Sequence, residues 1–90
     1  GRWGIAVDGK SWSDTYDMVW DPVLSPDGGA VVAKVEEHGQ YSVAANGKLW
    51  SQRFDLLWDP IFSSDGSRLL VRGVTDGEYR RQVIPVSELV

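Results

Sequence analysis

The chain lacks several features that would point to a defined chemistry. It has no cysteine and a single histidine, His38, so disulfide bonds and thiolate metal sites are excluded. Basic residues number 9 against 13 acidic ones, and the net charge of −4 argues against binding to nucleic acid, which needs a basic surface. No apolar run approaches the roughly 18 residues of a membrane span. We therefore expect no nucleic-acid partner and no direct membrane insertion, and the lack of cysteine fits a reducing, cytoplasmic compartment.

The length sets a second limit. A chain of 90 residues is at most one small domain, and a domain near this size hides only about 60% of its unfolded surface. The first residue is Gly1 and not methionine, so we expect a piece of a longer protein.

The sequence does contain a repeat, with an offset of 38 residues. Trp20-Asp21-Pro22 recurs as Trp58-Asp59-Pro60 in a frame without insertions. Other identical pairs are Gly9/Gly47, Lys10/Lys48, Trp12/Trp50, Ser13/Ser51, Asp17/Asp55, Ser25/Ser63, Asp27/Asp65, Gly28/Gly66, Gly39/Gly77 and Tyr41/Tyr79. The single unit 1–90 thus holds one copy over about 1–38, a second over about 39–76 and a partial third over 77–90. Such a period is typical of solenoids, propellers and arrays.

Each copy has strand signals and no helix signals. We predict antiparallel strands over residues 18–25, 30–36, 40–45 and 48–54. Ser25-Pro26-Asp27-Gly28 supplies a turn, because proline presets φ, aspartate bonds back to the backbone and glycine accepts a positive φ. Asn46-Gly47 favours a type I′ hairpin turn.

The strand over 30–36 is apolar on both faces. Val31, Ala33 and Val35 point to one side, and Ala30 and Val32 to the other. A sheet with one solvated face would alternate apolar and polar residues, so we expect a sheet covered on both sides. The all-β fold that meets this need with four antiparallel strands per repeat is the β-propeller, whose blades pack face to face around a channel. A β-solenoid is the competing repeat fold, but its period is shorter and its turns do not form hairpins.

The segment WDPVLSPDG over residues 20–28 resembles the WD40-like repeat (PD40) of TolB-type propeller proteins. The match departs at Ser64, where the family has proline. The resemblance implies a structural role for eight residues. They are Trp20, Pro22, Asp27, Gly28, Trp58, Pro60, Asp65 and Gly66.

A narrower resemblance concerns the residues between these motifs. The paired elements 9–12 with 16–22, and 47–50 with 54–60, resemble TmcD, the WD40-like cytoplasmic subunit of transmembrane electron-transport complexes of sulfate-reducing bacteria. This resemblance implies a non-catalytic scaffold with redox-complex proteins as partners. No thiolate could hold a haem or an iron–sulfur cluster, so we expect it to bind partners without a cofactor of its own.

The repeat is out of phase with the predicted blades. The chain begins with the third and fourth strands of a blade, about 3–7 and 10–16, continues with a complete blade over 18–54, and ends with the first three strands of another, about 56–62, 67–74 and 78–85. Two blades cannot close a propeller of about 4–8 blades. We therefore expect copies of the chain to assemble head to tail into a ring of about six or eight blades, with strand exchange in which the N-terminal strand of one copy completes the last blade of its neighbour.

Candidate site residues follow from these positions. Trp12 and Trp50 are expected to pack between blades or to bind a partner, and Trp20 and Trp58 to lie in the core. Asp21 and Asp59 are expected to bond to nearby backbone N–H groups or to line a channel, and His38 to be a solvated turn residue. No phosphate loop or nucleophile elbow is present, so we predict no catalytic residues, no metal and no cofactor. A substrate-binding or hydrolytic propeller fragment is the alternative.

Overall fold

The computed structural model describes all 90 residues as three antiparallel β-sheets without an α-helix. The first sheet pairs β1 (Trp3–Val7) with β2 (Lys10–Tyr16). The second sheet consists of β3 (Met18–Val19), β4 (Val23–Leu24), β5 (Val31–Glu37), β6 (Gln40–Ala45) and β7 (Lys48–Leu49). The third sheet consists of β8 (Leu56–Leu57), β9 (Ile61–Phe62), β10 (Arg68–Thr75) and β11 (Glu78–Pro85), and a short 3-10 turn (Val86–Glu88) follows it. The predicted all-β class is confirmed.

Two of the predicted strands are broken. In place of one strand over 18–25, β3 and β4 pair separately with β5, and in place of one strand over 56–62, β8 and β9 pair separately with β10. Each gap contains a proline, Pro22 or Pro60, which has no N–H to donate to the neighbouring strand. The strands predicted over 3–7, 10–16, 40–45 and 78–85 have those bounds in the structure.

The predicted strand over 48–54 is also shorter than expected. Regular pairing with β6 stops after Leu49 and returns only at a single bridge between Tyr41 and Phe54. Between these points the Ser42 hydroxyl donates to the carbonyls of Trp50, at 3.2 Å, and Gln52, at 2.7 Å. The chain therefore bulges outward while its carbonyls remain satisfied.

Two-residue turns join the strands of four hairpins. Each turn has a residue of positive φ followed by glycine of positive φ, which is the requirement of a type I′ turn. The four pairs are Asp8-Gly9, His38-Gly39, Asn46-Gly47 and Asp76-Gly77. The hairpin predicted at Asn46-Gly47 is thus confirmed, and three more of the same kind accompany it.

The core has two parts, one at each junction between sheets. At the first junction, between the first and second sheets, five buried residues pack together: Ile5, Tyr16, Ala33, Val35 and Ala44. At the second junction, between the second and third sheets, eleven do: Ala30, Val32, Val43, Ala45, Phe54, Leu57, Leu69, Val71, Ile84, Val86 and Leu89. The second sheet is therefore covered on both faces, as the alternation over 30–36 predicts.

A single residue links each sheet to the next. Asp17 stands between β2 and β3, and Asp55 between the Phe54 bridge and β8. The carboxylate of Asp17 accepts from the backbone N–H of His38 at 2.8 Å, and that of Asp55 from Asp76 at 2.9 Å. Both links are thereby fixed to the middle hairpin of the sheet that follows.

Candidate interaction surfaces

A cluster of two aromatic rings and one cation occupies the face of the second sheet that looks toward the third. The rings of Trp20 and Tyr41 have centroids 5.8 Å apart, and Lys34 Nζ lies 4.5 Å from the centre of the Trp20 ring. The inner-strand position of Trp20 is fixed by its backbone N–H, which donates to the Lys34 carbonyl at 3.0 Å. Such a cation–π contact favours a cation that is partly removed from water.

The third sheet covers this cluster from the other side. Lys34 Nζ donates to the Leu57 carbonyl at 3.0 Å and lies 3.4 Å from Asp59 Oδ1. The Lys34 side chain is only 12% exposed, whereas that of Asp59 is 80% exposed. A cavity of about 460 Å³ remains between the two sheets, lined by Trp20, Lys34, Tyr41, Leu56, Leu57, Trp58 and Asp59. The Leu57–Asp59 segment thus joins one sheet to the cation of its neighbour.

The same cluster recurs 38 residues later on the third sheet. Trp58 and Tyr79 have ring centroids 5.9 Å apart, and the Trp58 N–H donates to the Arg72 carbonyl at 2.9 Å. Here no further sheet covers it. Trp58 is 45% exposed, and Arg72 Nε is buried with no hydrogen-bond partner. The arginine therefore stands where Lys34 stands in the second sheet, but without the carbonyl and carboxylate that Lys34 binds.

This cluster belongs to a larger apolar surface, which we call the open face of the third sheet. The register of β10 places Leu56, Ile61, Tyr79 and Val83 on the same side as Leu70 and Val74. The exposed fractions of the first four are 56%, 49%, 58% and 50%. The equivalent face of the second sheet includes Val32 and Val43, which are fully buried. A contiguous exposed apolar face of this kind is typical of an interaction site.

Two strands also have a free edge next to these surfaces. β1 pairs only with β2, and β11 pairs only with β10. Unpaired backbone groups along such edges can accept a further strand.

The structure corrects the expected positions of the central motif. Trp20 is partly buried, but the prediction that Trp58 lies in the core is wrong, because the face that carries it has no covering sheet. The backbone bonds expected for Asp21 and Asp59 are not formed: Asp59 pairs with Lys34, and Asp21 makes no hydrogen bond or ion pair within the chain.

Other predicted roles agree with the structure. Trp12 and Trp50 are partly buried and pack against the cores of the first and second junctions, respectively. The carboxylates of Asp27 and Asp65 accept from the hydroxyls of Ser25 and Ser63 inside their turns. Gly28 and Gly66 have the positive φ expected of them. His38 is an exposed turn residue.

Sequence reasoning missed an ionic cluster at the rim of the first junction. Arg2 donates to both carboxylate oxygens of Glu37 at 2.7 Å and to Asp17 at 3.0 Å. The hydrogen bond from Arg2 lowers the pKa of Glu37, and the hydrogen bond from the His38 backbone lowers the pKa of Asp17. Nothing in the sequence pairs residue 2 with residue 37, because the contact depends on how the two sheets pack.

Comparisons with protein-family models, with curated proteins and with solved structures gave no match. The chain forms no helix that is long and apolar enough to cross a membrane. The surfaces that it offers are apolar faces, strand edges and single charges, which are suited to holding another protein surface.

Proposed function

We propose that this chain is a non-catalytic β-propeller module that assembles with copies of itself into a closed ring. The observation that carries the proposal is the open face of the third sheet, which exposes the positions that the third sheet covers in the second. An isolated chain leaves this apolar surface in water, and burying apolar surface contributes roughly 25 cal/mol per Å². Association of copies would remove the surface and the free edges together.

Three further features support the propeller assignment. Each sheet is antiparallel, and the sheets contain strands in the sequence of a third and fourth, a complete set, and a first to third. The same turns and tryptophan–cation clusters recur 38 residues apart. The sheets pack face to face, as propeller blades do.

The parent protein is proposed to serve a cytoplasmic electron-transport complex as a scaffold. This proposal is supported only by the resemblance of residues 9–22 and 47–60 to TmcD. A pull-down of the parent protein would test it: recovery of a cytochrome or membrane subunit would support it, and its absence would count against it.

The native mass of the chain tests the assembly. Light scattering during size-exclusion chromatography should give three or four times the 10.0 kDa of one chain, for a ring of about six or eight blades. A mass equal to one chain at all accessible concentrations would contradict the proposal. A mass that increases without limit with concentration would also contradict it, since it indicates an open chain of copies in place of a closed ring.

A further inference from the structure

We propose that the open face of the third sheet binds the Val19–Pro22 segment of a second copy of this chain, with Asp21 of that copy paired to Arg72. This inference rests on the self-assembly proposed above and adds the two surfaces that meet. It follows from a contact that the chain already makes once within itself.

The internal contact supplies the template. Within the chain, Lys34 binds the Leu57 carbonyl and lies beside Asp59. Moving each residue by the repeat offset turns Lys34 into Arg72 when moved forward, and turns Leu57 and Asp59 into Val19 and Asp21 when moved backward. A second copy seated on the third sheet as the third sheet sits on the second would therefore bring the Val19 carbonyl and the Asp21 carboxylate to Arg72.

The charges on the two surfaces are complementary and unpaired. Arg72 has a buried Nε with no partner, which is costly for a polar group. Asp21 is exposed and has no partner in its own chain. An arginine can meet a carboxylate and a carbonyl together because its guanidinium presents several N–H groups in a fixed plane. Each group thus lacks what the other offers.

The second copy has room for the incoming sheet. A hollow of about 250 Å³ lies between β1 and the Val19–Pro22 segment, and Trp3 also lines it. The hollow exists because the first sheet has only two strands, so nothing stands in front of the inner strands of the second sheet there. Leu24, at the end of this surface, is 61% exposed. We infer that β8, β9 and β10 of the first copy occupy this space.

Charge reversal at Arg72 and Asp21 provides the test. Arg72→Asp or Asp21→Arg alone places like charges at the contact, and each should raise the concentration needed for half-assembly by about tenfold or more, as changing one partner of a buried charge pair does. Arg80→Asp is the matched control, because Arg80 lies on β11 on the opposite side of the same sheet and is exposed. The control should leave the native mass unchanged.

The double variant Arg72→Asp with Asp21→Arg distinguishes a broken contact from a misfolded chain. It restores an opposite pair at every contact of the ring, so we expect its native mass to return to that of the wild type. Loss of assembly in both single variants and in the double variant alike would overturn the pairing.

An equal mixture of the two single variants adds a readout of ring size. In a ring of alternating copies, the introduced aspartate of one variant faces the introduced arginine of the other, and native Arg72 faces native Asp21 at the next contact. Such a ring closes only when the number of copies is even. If the wild type has four copies, the mixture should recover the wild-type mass, and if it has three, the mixture should not. A wild type that assembles while Arg72→Asp retains its mass overturns this inference alone, whereas a monomeric wild type overturns the proposed assembly as well.

Discussion

The two junctions between sheets differ in how completely one sheet covers the next. The first junction has five buried core residues, and its rim is held by the Arg2 ion pairs. The second junction has eleven buried core residues, and one ion pair, between Lys34 and Asp59, crosses it. The difference arises because the first sheet contains two strands and the third contains four. A two-stranded sheet cannot cover the inner strands of its neighbour, so Val23 and Leu24 remain exposed.

The largest effect is expected from filling the second junction at Gly73. A Cβ atom there would lie 2.6 Å from the Leu56 carbonyl and 2.8 Å from a ring carbon of Phe54. Gly73→Ala should therefore lower the free energy of unfolding by about 1–3 kcal/mol, as overpacking does. Urea unfolding at one fixed protein concentration measures it, because assembly makes stability concentration-dependent.

Gly4→Ala in the first sheet is the matched control. A Cβ atom at Gly4 meets only Thr15 Cγ2, at 3.8 Å, which is ordinary contact. Its effect should stay within about 0.5 kcal/mol. Equal losses in the two variants would show that the second junction is no tighter than the first sheet at these positions.

A smaller effect of opposite sign is expected at Tyr16, in the first junction. Its hydroxyl is buried without a hydrogen-bond partner, and burial raises the pKa of this side chain. The residue at the equivalent position in the second junction is Phe54, which is equally buried. Tyr16→Phe should raise the free energy of unfolding by about 1 kcal/mol, because it removes an unsatisfied polar group.

The reciprocal change sharpens this comparison. Phe54→Tyr should lower the stability, since it brings a hydroxyl into the second junction, where Gly73 and Leu56 stand close to the ring. Stabilisation by Phe54→Tyr, or destabilisation by Tyr16→Phe, would show that the two positions are not equivalent.

The smallest expected effect is on the pH dependence of stability. The pKa values of Glu37 and Asp17 are lowered from their ordinary values of 4.5 and 3.8. A lowered pKa in the folded state contributes stability above the ordinary pKa, and this contribution is lost as the pH falls through the lowered value. Arg2→Gln removes the main cause for Glu37, so the loss of stability between about pH 6 and pH 3 should be smaller than in the wild type.

The turn at Asp65 serves as the internal reference in that experiment. The backbone N–H of Ser67 is the largest cause that lowers its pKa to about 2, and Arg2 takes no part in this turn. Its contribution should therefore disappear below about pH 3.8 in both proteins. These groups are exposed, so added salt should reduce the difference between the two proteins. An identical pH dependence for both would contradict the role given to Arg2.

Hairpins were the part of the fold most accessible from sequence. Asn46-Gly47 encodes its turn locally, since both residues accept a positive φ, and the strand bounds on either side follow from the turn. Pro22 and Pro60 carried the signal for the broken inner strands, but the apolar residues around them favoured continuous strands. The bulge after Leu49 had no such signal, because it depends on the Ser42 hydroxyl of another strand.

The candidate site was less accessible for a physical reason. Trp20 and Trp58 stand in identical Trp-Asp-Pro segments, yet one is partly buried and the other is 45% exposed. Burial is decided by whether a further sheet follows, and the repeat is the same in both cases. The pairing of Lys34 with Leu57 and Asp59 likewise depends on packing between sheets, which the alternation of apolar residues does not specify.

The single-residue links at Asp17 and Asp55 have a consequence for how the chain folds. Each sheet is a contiguous stretch of sequence, and most of its strands are joined by two-residue turns. Contacts between residues close in sequence form quickly, and an isolated hairpin forms in about 1–10 μs. We therefore expect the middle hairpins to form first and the stacking of one sheet on another to be the slow step. A newly made chain would then acquire its sheets in order of synthesis, with the last apolar face completed only at the end.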